Sequence, residues 1–379
     1  YYNKMKICYI VHGFQMGGAE NIVANYLCEL KRQGHDVLAI SIDARKFYLS
    51  EQLEKQNIPI YHLTPYVINN DVSLFIRIFL QKLNKYSSYF DKRLSKIVGR
   101  KKPEIIHWHT TICYNKFITL PLGQQFFTFH ADFKRIWKLF TEEERLVYRQ
   151  SVGLGLTTIV LNETMYQDAQ ELFQNSKIHR IPNGLSIGDI RSKRYVKEEF
   201  VSSIGLPEDS FIITMVGRFH PVKNQEWAID VLDEVLKNKS NAYLLYVGQE
   251  EKSVRKIIDE RILKYNIPID KVKILGLRKD ATAILSVSNV CLVPSRSESF
   301  SLVAVEAQVF NIRVVASDAI PSEVLRNPNT FALSLSDSAK DWAKVILDNN
   351  TDRTKNHSIE DFDIGTVVKA HVDLYNSVL

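Results

Sequence analysis

Short apolar runs alternate with helix-length amphipathic stretches along most of the chain. KICYIVHG (6–13) reads as a strand, and AENIVANYLCELKRQG (19–34) as an amphipathic helix closed by Gly34. DVLAISI (36–42), PEIIHWH (103–109), QQFFTFH (124–130), LTTIVLN (156–162) and KIHRIPNG (177–184) read as further strands. A strand that is apolar without strict alternation is one buried on both faces, as in a parallel sheet covered by helices on either side. The first half therefore predicts a doubly wound α/β domain.

After a polar, charged stretch at 190–210 the pattern restarts. Strands are expected at 211–219, 242–248, 271–276, 290–295 and 312–317, the last clear one, with helices at 226–239, 253–266, 281–288 and 301–310 between them. A final helix, GTVVKAHVDLYNSVL, follows a loose polar stretch at 348–358. The expected organisation is an N-terminal Rossmann-like domain over 1–188, a second over 189–355, and a closing segment, 356–379, that crosses back to the first. Two such domains in tandem leave a cleft at the carboxyl ends of their strands, where ligands bind in these folds.

A length of 379 residues fits two domains at about 100–200 residues each. With 45% hydrophobic and 24% charged residues, disordered, collagen-like and disulfide-scaffold chains are excluded. The net charge of +6 is uneven: residues 1–190 carry 24 basic and 17 acidic side chains, residues 191–379 carry 25 and 26. Four cysteines, Cys8, Cys28, Cys113 and Cys291, lie too far apart for a CxxC or zinc spacing, which fits a reducing cytosol. The opening apolar run, Ile7 to Val11, is too short for a signal peptide or a span, and no segment reaches the roughly 18 apolar residues of a transmembrane helix. The expectation is a cytoplasmic protein, peripheral at most to the inner face of the membrane.

Candidate chemistry gathers at the ends of the expected strands. Gly17 and Gly18 open the first helix, where glycines let backbone amides approach a phosphate, although the spacing misses the dinucleotide pattern G-x-G-x-x-G. Gly217-Arg218 ends the strand at 211–219, and Lys223 follows before a helix. A guanidinium and an ammonium at such a mouth neutralise a diphosphate. Pro294-Ser295-Arg296-Ser297-Glu298-Ser299-Phe300-Ser301-Leu302 leads into VAVEA, placing Glu298 just after a strand and Glu306 eight residues on, near one helical face. Glu298 could meet sugar hydroxyls and Glu306 ribose hydroxyls, with the amides of Ser299 to Leu302 open at the helix start. The plainer alternatives are a dipole-complementing Glu298 and a paired, half-buried Glu306. His107, His109 and His130 cluster at strand ends. No carboxylate or cysteine completes a metal spacing, so His107 and His109 read as structural and His130 as functional.

The stretch 76–103 holds nine basic residues and one acid, Asp91, with apolar positions at helical spacing. A basic amphipathic helix suits an anionic membrane surface, here through residues 76–102; equally, its stripe could pack on the core. Nucleic acid is not expected, since no reader motif accompanies the charge.

Taken in order, these motifs resemble the retaining glycosyltransferases of family four, which have the GT-B fold. GGAE follows the first strand, FHAD and IPNG (181–184) follow in the first half, GRFHPVKN is similar to G-R-x(4)-K-N, and PSRSESFSLVAVEA is similar to PS-x(2)-E-G-F-x(5)-E-A. The resemblance covers most of the chain. It implies transfer of a sugar from a nucleoside diphosphate sugar, expected to be a UDP-sugar, to a lipid-linked or saccharide acceptor, with retention and with no metal or other cofactor. Such enzymes build capsule, exopolysaccharide and glycolipid. By motif, Arg218 and Lys223 would bind the diphosphate, Glu298 the sugar and Glu306 the ribose. Gly17 and Gly18 would line the phosphate side, His130 would serve the reacting centre, and Leu277 and Arg278 would hold the base. Ser299 replaces a common glycine, and Ser301 stands where Gly or Pro is frequent, so donor geometry is expected to differ. Two rival classes are a nonhydrolysing sugar-nucleotide epimerase and a catalytically silent sugar-nucleotide-binding regulator.

Overall fold

A computed structural model describes residues 4–14, 17–43, 48–63, 85–109, 124–174, 176–348 and 358–379. Residues 76–84 of the basic stretch and Cys113 lie outside these. The chain divides into two compact units, Tyr1–Leu185 with Phe362–Leu379, and Ser186–Asp361.

The first unit holds a seven-stranded parallel sheet of order β3-β2-β1-β4-β5-β6-β7. Its strands are β1 (Lys6–Val11), β2 (Asp36–Ser41), β3 (Ile60–His62), β4 (Ile105–Trp108), β5 (Gln124–Thr128), β6 (Thr157–Val160) and β7 (Ile178–Arg180). Helices α1 (Gly18–Arg32), α2 (Tyr48–Lys55), α3 (Lys85–Lys101), α4 (Phe133–Leu139), α5 (Glu142–Gly153) and α6 (Glu163–Leu172) lie between them. Ile22, Val23, Tyr26, Leu27 and Leu30 recur every three or four residues on α1 and are buried, which is why an amphipathic segment docks here as a helix. Thr141 and Glu144 close a reciprocal capping box that sets where α5 begins. On α3, Leu94 and Val98 turn into the core while Lys92, Lys96 and Arg100 are exposed.

The second unit repeats the plan with six parallel strands of order β10-β9-β8-β11-β12-β13. They are β8 (Phe211–Val216), β9 (Ala242–Val247), β10 (Val272–Ile274), β11 (Val290–Val293), β12 (Arg313–Ser317) and β13 (Thr330–Leu333). The helices are α7 (Ile187–Ser192), α8 (Lys197–Ser203), α9 (Gln225–Leu236), α10 (Lys252–Lys264), α11 (Ala281–Leu285), α12 (Leu302–Val309) and α13 (Ala339–Leu347). Three features differ from the sequence expectation. The polar stretch at 190–210 contains α8, whose Phe200 and Val201 are buried. β12 is not the last strand, since β13 pairs beside it. The units part at Leu185, earlier than 188, because α7 packs on α12 of the second unit.

The last helix, α14 (Ile364–Asn376), belongs to the first unit. Leu185 and Ile364 exchange backbone hydrogen bonds with Phe362 and Leu185 respectively, each at 2.8 Å. A Cβ on Gly184 would lie 2.9 Å from Cβ of Val367, so the approach of α14 requires glycine there. A polar network then holds the helix. Tyr375 Oη lies 2.5 Å from Nδ1 of His107 and 3.1 Å from Tyr9 Oη, and His107 Nε2 lies 2.7 Å from Thr128 Oγ1. His109 Nδ1 meets His130 Nε2 at 2.9 Å, and His371 Nδ1 donates to the Val367 carbonyl at 2.9 Å. Both ring nitrogens of His107 are thus bonded, whereas the buried His109 Nε2 has no partner among the described residues.

Burial, reinforced by mutual repulsion, pushes His107 and His109 well below the ordinary histidine range, and burial chiefly pushes His130 and His371 down to about 4. A histidine with a lowered folded-state pKa is protonated first in the unfolded chain. The stability it confers is therefore complete above about pH 6.5 and is lost as pH falls toward 4. Hydrogen exchange in β4 and α14 should consequently report a steep loss of protection between pH 6.5 and 5, after correction for intrinsic rates. A flat profile there would contradict the neutral-histidine network.

Candidate functional site

The second unit assembles a site at the carboxyl ends of β8, β9 and β11. Gly217 N–H donates to the Val247 carbonyl, and Gly248 N–H to the Gly276 carbonyl, both at 2.8 Å. A Cβ on Gly248 would fall 2.0 Å from the Gly217 carbonyl oxygen, so the chains leaving β8 and β9 touch backbone to backbone. Gly248 and Gly276 were not read as site elements in the sequence, where each is only a glycine after an apolar run.

The loop after β8 is bound to the loop after β11. Lys223 Nζ reaches Glu298 Oε1 at 2.6 Å, and Ser295 Oγ donates to the same oxygen at 2.8 Å. The Glu298 side chain is 10% exposed and that of Lys223 is 33%, so the pair is largely withdrawn from water. Arg296 does most of the joining. Its amide donates to the Val222 carbonyl at 2.7 Å, and its guanidinium to the Pro221 carbonyl at 3.1 Å and to Asn224 Oδ1 and Glu226 Oε1 at 2.8 Å each. Asn224, in the left-handed region at φ 59°, returns a bond from Nδ2 to the Pro294 carbonyl at 3.1 Å. Arg218, in the same loop, is exposed, and its guanidinium has no hydrogen bond or ion pair among the described residues.

Glu298 leads through Ser299, the buried Phe300 and Ser301 into Leu302, the first residue of α12. The opening amides of a helix have no partner within it and carry its positive dipole end, so this mouth suits an anion. Deeper on α12, Glu306 is half-buried and makes no hydrogen bond or ion pair among the described residues. Desolvation raises its pKa to about 7, only partly opposed by Lys193. The paired alternative for Glu306 is therefore not what the structure holds. A carboxyl in that state can donate to or accept from a ligand hydroxyl.

The loop after β10 carries Leu277, exposed at 57%, and Arg278. The Arg278 fork is engaged by both Asp280 oxygens, at 2.8 and 2.6 Å, and Tyr195 Oη also donates to Asp280. The Arg278 guanidinium, with help from Tyr195, pulls the Asp280 pKa down to about 2. Arg278 therefore stiffens this loop, and Leu277 and Lys279 are the exposed side chains it presents.

In the first unit, Gly17 caps α1, and the Glu20 carboxylate folds over it so closely that a Cβ on Gly17 would lie 2.2 Å from Glu20 Oε2. An anion approaching Gly17 and Gly18 would have to move that carboxylate, which the motif alone did not reveal. His130 is half-buried, and its low pKa makes it a neutral imidazole at pH 7.

Residues 196–361 match the family model described as Glycosyl transferases group 1, and residues 16–188 match the one described as Glycosyltransferase Family 4. EpsF of Bacillus subtilis (strain 168) is 26% identical over 178 residues, which are 47% of this chain and 46% of EpsF. The Escherichia coli protein named UDP-Gal:alpha-D-GlcNAc-diphosphoundecaprenol alpha-1,3-galactosyltransferase is 30% identical over 152 residues, 38% of this chain and 37% of that protein. The chain thus spans less than half the length of either relative. Among solved structures, HepE of Anabaena in complex with UDP and glucose aligns with a TM-score of 0.75 at 18% identity, covering 98% of this chain and 100% of that one. At that identity the likeness is one of fold.

The state of Glu306 has a measurable consequence. An acid with a raised folded-state pKa is charged first in the unfolded chain, so it lowers stability as pH rises from about 4.5 to 7. Glu306→Gln should therefore raise the melting temperature of the ligand-free protein at pH 8 and lose that advantage toward pH 5. An equal effect at both pH values would contradict the isolated carboxyl.

Proposed function

From a chain that belongs to glycosyltransferase family 4 and has the GT-B fold, we propose a retaining transferase. It moves a sugar from a UDP-sugar to a lipid-linked or saccharide acceptor in surface polysaccharide or glycolipid assembly. The observation that carries this reading is the Lys223–Glu298 pair, 2.6 Å apart beside the mouth of α12.

In the proposed reaction the bond from the sugar's anomeric carbon to the diphosphate oxygen breaks, the oxygen of an acceptor hydroxyl bonds to that carbon, and the hydroxyl proton passes to the departing diphosphate. Negative charge then grows on the departing UDP. Lys223, held by Glu298, and the exposed Arg218 face that charge as cations, and the amides at the start of α12 add donors. Glu298 accepts from hydroxyls of the transferred sugar, and Glu306 holds the ribose. Leu277 offers an apolar surface to the base, with Arg278 holding its loop. Gly17 and Gly18 are assigned to a phosphate, which requires the Glu20 carboxylate to move aside. His130, neutral at pH 7, hydrogen-bonds the sugar rather than protonating the leaving group, since a pKa of about 4 makes it a poor acid there. Arg218, Lys223 and the helix start together supply the neutralisation.

The choice of UDP is supported by HepE, solved with UDP and glucose, and by the E. coli relative, whose name specifies UDP-Gal. That name also specifies a diphosphoundecaprenol acceptor, and a lipid-linked acceptor agrees with the exposed Lys92, Lys96 and Arg100 of α3 facing an anionic membrane. No helix among the described residues is long and apolar enough to cross a membrane.

A thermal-shift panel of UDP, GDP and ADP sugars should show stabilisation by UDP-sugars first, because a ligand bound only by the folded state raises its stability. Lys223→Ala and Glu298→Ala should each lower transfer at least about 100-fold while the protein stays folded by circular dichroism. Undiminished turnover in either would remove its assigned role. Lys96→Glu with Arg100→Glu should weaken binding to phosphatidylglycerol vesicles, and unchanged binding would reduce α3 to a solvated core helix.

A further inference from the structure

Ser301 is held in a way that folding alone does not favour. Its backbone lies in the left-handed region, at φ 80° and ψ 83°, where a side chain is strained and glycine is not. It occupies the N-cap of α12, yet its hydroxyl makes no capping bond, although capping is the usual reason for a serine at that position. The hydroxyl is also buried, at 6% residue exposure, and has no hydrogen-bond partner among the described residues. An unmet buried hydroxyl costs stability, so two penalties fall on one residue. A glycine would remove both. Penalties of this kind persist at sites where a ligand later meets the group.

Around Ser301, α12 is eight residues long and begins at Leu302, and Glu298 with its partner Lys223 lies three residues upstream. The orphaned hydroxyl therefore stands at a helix mouth that already suits an anion. Resting on the transferase reading above, we propose that the Ser301 hydroxyl donates to a non-bridging phosphate oxygen of the bound nucleotide, beside the first amides of α12. A glycine at this position can offer only its amide, so the hydroxyl is an additional contact. Ser301 thus trades stability of the empty protein for grip on the diphosphate.

The test compares wild type, Ser301→Gly and Ser301→Ala by melting temperature without ligand and by calorimetric titration with UDP and with UDP-glucose. GDP or ADP and their glucose conjugates replace these if they are what the wild type binds. Ser301→Gly should melt higher without ligand, by about 3 °C, and both variants should bind the nucleoside diphosphate at least about fivefold more weakly. Wild-type affinity in both variants would overturn the proposal and leave Ser301 structural, whatever happens to the melting temperature. A loss seen with the sugar conjugate but not with the nucleoside diphosphate would also overturn it, placing the hydroxyl on the sugar. A wild type that binds none of these nucleotides would overturn the transferase reading, and this inference with it.

Discussion

The second unit depends on the tie between the loop after β8 and the loop after β11. A carboxylate as withdrawn as Glu298 is stable only with a partner, and Lys223 supplies one at 2.6 Å. Arg296 and Asn224 then cross-link the same two loops through main-chain carbonyls, so that neither loop can move without breaking several bonds. Breaking one side of a largely buried pair leaves an uncompensated charge, and this is what makes the arrangement a fixed frame. A ligand entering it meets donors already in place, which is the condition under which electrostatics contributes most.

Within that frame two carboxylates have different characters. Glu298 is held by a cation and a hydroxyl, whereas Glu306, eight residues on along the same segment, has neither and is pushed up to about 7 by desolvation. One helix start thus presents a charge-compensated acceptor and, further in, a carboxyl able to keep its proton near neutral pH. Such a division suits a ligand with an anionic centre and hydroxyl groups on both sides of it. The first unit works in the opposite electrostatic sense, with histidines kept neutral around the end of α14.

Much of the fold was legible because β1, β8, β9 and β11 are buried on both faces and so read as continuous apolar runs. Strands β3 and β13 were not, since each is a short outer strand of mixed burial that carries no such run. In the site, Arg218, Lys223 and Glu298 could be singled out because charged residues beside strand ends stand out against apolar neighbours. Arg296 could not, because the groups it bonds, the Pro221 and Val222 carbonyls and the Asn224 and Glu226 side chains, lie seventy or more positions away in the sequence. Gly248 was hidden for a similar reason: what demands glycine there is the Gly217 carbonyl on a neighbouring strand. The strain at Ser301 is likewise a property of φ and of a missing partner, neither of which a serine in a loop announces.

The central claim, that the paired loops and the mouth of α12 form the diphosphate seat of a nucleotide sugar, is tested most directly by a crystal structure of the protein with UDP. The diphosphate should lie at the start of α12, with a phosphate oxygen within hydrogen-bond reach of Lys223 Nζ while Lys223 keeps its contact with Glu298. UDP bound away from α12, with no phosphate contact to Lys223, would contradict that claim.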